Sequence, residues 1–177
     1  MLATLLLQIS PLIPAVLAGT VQYPEVVPGP GLPSLESLGL TSEQLYTMEP
    51  ASSEVDARAA FAPMFTAVCA VDSNAYASKA GLIACYNYLS RIGSQQCTVP
   101  SDFRKVRYCF SGDADVNGLS ITGRSRTSTC ASVAHAVRWV TDRCTRDGNK
   151  AAGKSLRFEA AYGDGDIIVS GVKRGFS

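Results

Sequence analysis

The chain has 177 residues, a net charge of +1, six cysteines and one histidine. A single histidine excludes a nuclease that works with two, and with no Cys-x-x-Cys pair it argues against a zinc site. The charge is unevenly spread. Residues 19–55 hold Glu25, Glu36, Glu43, Glu49 and Glu54 and no Lys or Arg, so they carry −5. The other 10 acidic residues face all 16 basic ones, which leaves +6. Such a split suggests an acidic pro-segment or an arm that folds on a basic body, with a solvated linker as the plain alternative.

The first 18 residues, "MLATLLLQISPLIPAVLA", are apolar and uncharged. Pro11 and Pro14 argue against a membrane span, and Val16-Leu17-Ala18 suits a signal peptidase, so residues 1–18 are expected to be a secretory signal. Residues 19–60 form an acidic, Pro- and Gly-rich leader, linker or pro-segment. "YPEVVPGPGLPS" reads as extended linker rather than core. Leu35, Leu38, Leu45 and Met48 trace a faint helical pattern that Gly39 breaks. Burial of Leu35 and Leu38 would argue against a discarded leader.

The main domain is expected over residues 61–177. "MFTAVCAVD" reads as a strand. "SNAYASKAGLIACYNYLSRIG" reads as a helix capped at Ser73 or Asn74, with Leu82, Cys85, Tyr86 and Leu89 on its apolar stripe. "DFRKVRYCFSG" alternates, which puts Val106, Tyr108 and Phe110 on one face and Lys105, Arg107 and Cys109 on the other. "GLSITGRS" is the next strand. A second helix runs through "TSTCASVAHAVRWVTDRCTRDG", where Cys130, Val133, Val137, Val140 and Cys144 share one face. Two apolar runs around Gly163-Asp164-Gly165-Asp166 make a final hairpin.

Export makes disulfides the natural state of Cys69, Cys85, Cys97, Cys109, Cys130 and Cys144. Six cysteines allow 15 pairings. Fourteen residues of helix separate Cys130 from Cys144 by about 21 Å, and bridged Cα atoms lie roughly 4.4–6.8 Å apart, so those two cannot bond to each other. Each must reach another element, which staples the helix at both ends. Cys69 and Cys144, the outermost pair, are expected to close the domain. The fold class predicted is α+β: a two-layer α/β sandwich with an antiparallel sheet of four or five strands, two helices on one face and three disulfides.

Several segments invite a chemical reading. "DADVNG", residues 113–118, matches the opening of a calcium loop, but Arg124 stands where the bidentate Glu belongs; a strand-to-strand turn is expected and no metal. His135 lacks a Gly-x-Ser-x-Gly partner motif, and Glu159 has no evident carboxylate partner, so no catalytic residue is assigned. Trp139 sits at the margin of the apolar stripe. Arg104, Lys105 and Arg107, with Arg124 and Arg126, form a basic patch that suits an anionic lipid, polysaccharide or protein face; the plain alternative is protection of a sheet edge.

"YCFSGDADVNGLSITGRSRTSTCASVAHAVRWVTDRC", together with the stretch down to "DGDIIVSGV", resembles small secreted fungal proteins of the killer-toxin-like and necrosis-inducing effector class. The likeness spans roughly residues 66–174 and rests on Cys109 in a strand, Cys130 and Cys144 at the ends of a helix, and the glycine-bounded hairpin. The resemblance implies an α/β sandwich, secretion, no catalytic site and action on a competitor or host cell. The chain is therefore expected to be a secreted, extracellular, cysteine-rich monomer that needs no cofactor. It would act without catalysis on a cell-surface protein, membrane or wall polysaccharide, and not on nucleic acid. The alternatives are a small secreted hydrolase with a carboxylate site and a cell-wall or lectin-like module.

Overall fold

The structure, a computed structural model, describes residues 21–50, 67–157 and 166–176. Its strands in chain order are β1 (Val26–Pro28), β2 (Val68–Cys69), β3 (Ala77–Ser78), β4 (Gln96–Val99), β5 (Val106–Ser111), β6 (Ala114–Ser120), β7 (Arg126–Thr129), β8 (Thr145–Arg146), β9 (Lys150–Ala151), β10 (Gly153–Arg157) and β11 (Ile167–Lys173). The helices are α1 (Ser42–Thr47), α2 (Lys79–Arg91) and α3 (Cys130–Arg143). The main sheet is antiparallel in the order β1-β5-β6-β11-β10-β2. Its body is the four longer strands β5, β6, β11 and β10, and the two short strands are edges. The fold class is therefore α+β, with two helices on one face.

Each helix starts where a hydroxyl can satisfy free N–H groups. Ser78 Oγ accepts from Gly81 N, and Thr129 Oγ1 accepts from Ser132 N at 3.2 Å. The cap of α2 is thus Ser78, not Ser73 or Asn74, which lie in a separate 3-10 turn entered from Asp72. The stripe Cys130, Val133, Val137, Val140 and Cys144 is buried as the spacing requires. Gly171 of β11 shows why both helices can lie close: a Cβ there would meet Leu82 of α2 at 3.2 Å and Val140 of α3 at 3.5 Å.

Three disulfides fasten this layer. Cys69 pairs with Cys144, Cys85 with Cys109 and Cys97 with Cys130, at Cα separations of 5.2, 5.7 and 5.0 Å. α3 is tied to β4 at its first residue and to β2 just past its last. α2 is tied to β5 through the core. The ribbon of β4 and β7, with Cys97 opposite Ser128, prepares the second of these links.

Two expectations about β5 and β6 also change. The alternation in "DFRKVRYCFSG" breaks at a bulge between Arg107 and Cys109, so Tyr108 and Cys109 both turn toward the helices and are buried. A bulge inserts one unpaired residue and shifts the pleat. Arg107 and Phe110 consequently share the opposite face. The calcium-like "DADVNG" is not mainly a turn. Ala114 onward is strand β6, and the turn is Gly112-Asp113. No group of three or more metal-ligating side chains lies together among the described residues.

The acidic segment is part of the fold where it is described. Val26 is buried and its strand pairs with β5 from Val26↔Ser111 to Pro28↔Cys109. Pro28 is tolerated because β1 is an edge. Leu45 is fully buried, and Leu35 and Leu38 are half-buried against the same core. The reading of this stretch as linker outside the core therefore fails at Val26 and Leu45. Asn87 donates to the carbonyls of Leu45 and Met48 at 2.8 and 3.2 Å. Tyr88 donates to the Pro33 carbonyl at 2.7 Å. Glu25, Glu36, Glu43 and Glu49 stay exposed and make no ion pair among the described residues. Apolar burial and hydrogen bonds hold the arm, with no ion pair to the basic body among the described residues.

Three tyrosines make the fold sensitive to alkali. Burial pushes the Tyr88 phenol up to about 12, raises Tyr108 further, and raises Tyr46. A folded pKa above the unfolded value near 10 means that the native state holds the proton more tightly. For Tyr88 the stabilisation is complete below pH about 10 and is lost as pH climbs toward 12; Tyr108 and Tyr46 act in the same direction. Unfolding midpoints should fall steeply above pH about 10, with delayed phenolate absorbance. The Tyr108 hydroxyl has no hydrogen-bond partner among the described residues, so Tyr108→Phe should stabilise the protein by about 1 kcal/mol and blunt that fall. Simple titration of every tyrosine near pH 10 with the fold intact would contradict this account.

Candidate functional site

The face of the main sheet away from α2 and α3 is the candidate site. Strand alternation sends Asp115, Asn117 and Leu119 of β6 to this side. The register Ile168↔Leu119, Ser170↔Asn117 and Val172↔Asp115 sets three β11 residues beside them. The bulge in β5 adds Arg107 and Phe110. A groove of about 400 Å³ runs over this surface, bounded by Val68–Asp72, Lys105, Asn117–Leu119, Ile168, Ser170, Val172 and Phe176. That volume lies within the range of ligand sites, roughly 300–1,000 Å³. Lys105 precedes β5 and Asp72 follows β2, so the two charges sit toward opposite sides of the sheet. Between them the walls are mostly apolar, with Asn117 and Ser170 side by side. Val68 and Val71 are 53% and 92% exposed at the rim.

One flank of the face is fixed by ion pairing. Arg107 grips Asp115 with two hydrogen bonds, Nε to Oδ1 at 2.7 Å and an Nη to Oδ2 at 2.9 Å. Asp115 is only 4% exposed, which makes this planar fork its principal compensation for lost water. The bond to Asp115 raises the Arg107 pKa, while partial burial opposes it, so the guanidinium stays charged. The Arg107 guanidinium also lies 5.1 Å from the Phe110 ring centre, and that of Arg174 lies 4.3 Å from it. Both distances suit attraction between a cation and a ring face.

The five basic residues singled out by sequence do not act as one cluster. Arg107 is committed to Asp115, and Arg126 donates to Asp166 at 3.1 Å. Arg104, Lys105 and Arg124 are exposed on two loops joined by the Asp102 N–H donating to the Gly123 carbonyl at 2.7 Å. The six cysteines are all oxidised, so none offers a thiol. His135 lies on α3, across the sheet from the groove, and Trp139 packs half-buried on the core margin. Glu159 and residues 163–165 of the hairpin turn lie outside the described residues.

Sequence reasoning found Lys105 but missed the apolar groove residues and Phe103. One signal was available for the first: "DIIVSGV" places apolar side chains at both parities, which marks a strand apolar on both faces. For Phe103 the signal was "SDFRK", an Asp-Phe pair at a turn where Asp-Gly is the usual choice.

A pair of helices cross-linked by disulfides to one face of a sheet, with an apolar groove on the other, defines a disulfide-locked two-layer α+β domain. Three cross-links in a domain this small suit an oxidising compartment, and no helix among the described residues is long and apolar enough to cross a membrane. Residues 65–172 match the family described as "Domain of unknown function (DUF8794)", and the chain belongs to that family. No curated protein and no solved structure matches the chain.

Proposed function

We propose that the protein is exported and acts without catalysis, as an effector or antagonistic toxin-like protein that binds a surface protein of another cell. The observation that carries this reading is the groove on the helix-free sheet face, apolar along its walls and edged by exposed Val68 and Val71. The expected secretory signal and the resemblance to small secreted killer-toxin-like and effector proteins support the same reading. The partner it suits is a protein loop that offers an apolar side chain to the groove and an acid to Lys105. A flat bilayer cannot fill a groove, and a polysaccharide calls for stacking aromatics where this wall offers Phe176 alone. The cross-links fit the role, because proteases attack chains that open locally.

The test is binding of labelled, oxidised protein to intact cells that respond to it, compared with Ser170→Arg, which puts a long cation into the groove. At least a tenfold loss of binding, with unchanged thermal stability, is expected. Equal binding by the variant would overturn the groove as the recognition surface. Turnover of a substrate would establish the hydrolase instead. Retention on chitin or glucan resin that Trp139→Ala abolishes would establish the wall-binding module.

A further inference from the structure

The turn Ser101–Arg104 breaks a conformational rule in order to display a ring. Asp102 and Phe103 have φ of +63° and +56°, and Arg104 N–H donates to the Ser101 carbonyl at 3.4 Å. Two central residues with positive φ mark a type I′ turn, whose second central position belongs to glycine. A side chain as large as phenylalanine is disfavoured there. Phe103 is nevertheless 64% exposed, so burial does not compensate for the strained backbone. Its ring rests on Gly123, where a Cβ would come within 2.7 Å of it. Strain of this kind, held by the surroundings, is a feature of functional sites.

The second observation is charge. Arg104 and Lys105 follow the ring, and Arg124 adjoins its glycine shelf. All three are exposed, and none forms an ion pair among the described residues. The one acid on the two loops, Asp102, accepts a hydrogen bond from Ser101 Oγ at 3.0 Å. Three cations against one carboxylate leave the tip at +2, with Arg126 set aside because Asp166 neutralises it.

We infer that this turn is a contact site for an anionic phospholipid surface, with Phe103 entering the acyl boundary and Arg104, Lys105 and Arg124 meeting the headgroups. A single ring flanked by long cationic side chains suits an interface: the ring leaves water while the charges stay at headgroup level. A protein partner would need a broad apolar collar around the ring to exclude water. Phe103 is the only large apolar side chain exposed on these loops among the described residues. Lys105 also borders the groove, but Phe103, Arg104 and Arg124, the residues that separate the two surfaces, do not line it.

Co-sedimentation of the oxidised protein with vesicles tests it, using phosphatidylcholine alone or mixed with phosphatidylserine. Binding should require phosphatidylserine and weaken with salt. Arg104→Ser and Arg124→Ser should each weaken it about fivefold. Phe103→Gly should weaken it about tenfold while leaving the thermal midpoint equal or higher, because glycine relieves the turn. Phe103→Trp should keep binding, and its indole emission should shift to the blue on vesicles. Four outcomes would overturn the inference: no binding that depends on phosphatidylserine, wild-type binding by Phe103→Gly, a midpoint several degrees lower in Phe103→Gly, or capture by poly-glutamate without capture by vesicles.

Discussion

Replacing Cys85 and Cys109 together by alanine is expected to cost about 3.5 kcal/mol from the chain entropy of the opened loop alone. The loop spans 24 residues of sequence. Both sulfurs are fully buried, so the change also removes packing from the centre of the molecule. Entropy alone would rank Cys69–Cys144 first, since its separation of 75 residues corresponds to about 4.5 kcal/mol. That bond, however, joins exposed Cys69 on a two-residue edge strand, where local fraying absorbs part of the loss. Cys85–Cys109 instead joins α2 to the bulged strand that orients Arg107 and Phe110. With total stabilities of about 5–15 kcal/mol for natural domains, the double variant should lose a large share of its stability. Denaturant unfolding measures it. A change below about 1 kcal/mol would show that the core holds α2 on the sheet without this link.

Leu45→Ala should be the most damaging change in the acidic arm, at about 2–5 kcal/mol. Leu45 is fully buried although it comes from a six-residue helix that precedes the family domain. Its helix is capped by a reciprocal pair, with Thr41 Oγ1 accepting from Gln44 N at 3.2 Å and Gln44 Oε1 accepting from Thr41 N at 2.8 Å. A helix this short is not stable alone, so burial of Leu45 and the Asn87 hydrogen bonds supply what holds it. The loss should appear as a lower urea midpoint. An unchanged midpoint would mean that the arm rides on the domain without stabilising it.

What could be read from the sequence follows from periodicity and covalent geometry. The 3-4 spacing from Cys130 to Cys144 fixed a helix face, and the reach of a disulfide then excluded a bond between its ends. The spacing of α2 was equally plain. The bulge at Tyr108 was not, because strict alternation assumes an uninterrupted ladder, and the extra residue shows only in pairing with β6. Val26 and Leu45 were hidden for another reason. Their burial depends on α2 and β5, which are distant in sequence, while the local composition of Pro, Gly and Glu speaks for solvent. "DADVNG" misled because its acids alternate as a strand does: Asp113 Oδ1 accepts from Ser78 N at 2.9 Å, and Asp115 is held by Arg107. The groove became visible only once strand order had placed Lys105, Ile168 and Val71 along one surface.

The most direct test of the account is peptide mapping, without reduction, of the protein recovered from the medium of the cells that make it. The account predicts recovery outside the cell, no free thiol, and three cross-linked peptide pairs joining Cys69 to Cys144, Cys85 to Cys109 and Cys97 to Cys130. Free sulfhydryls, a different pairing, or a protein found only inside the cell would contradict it.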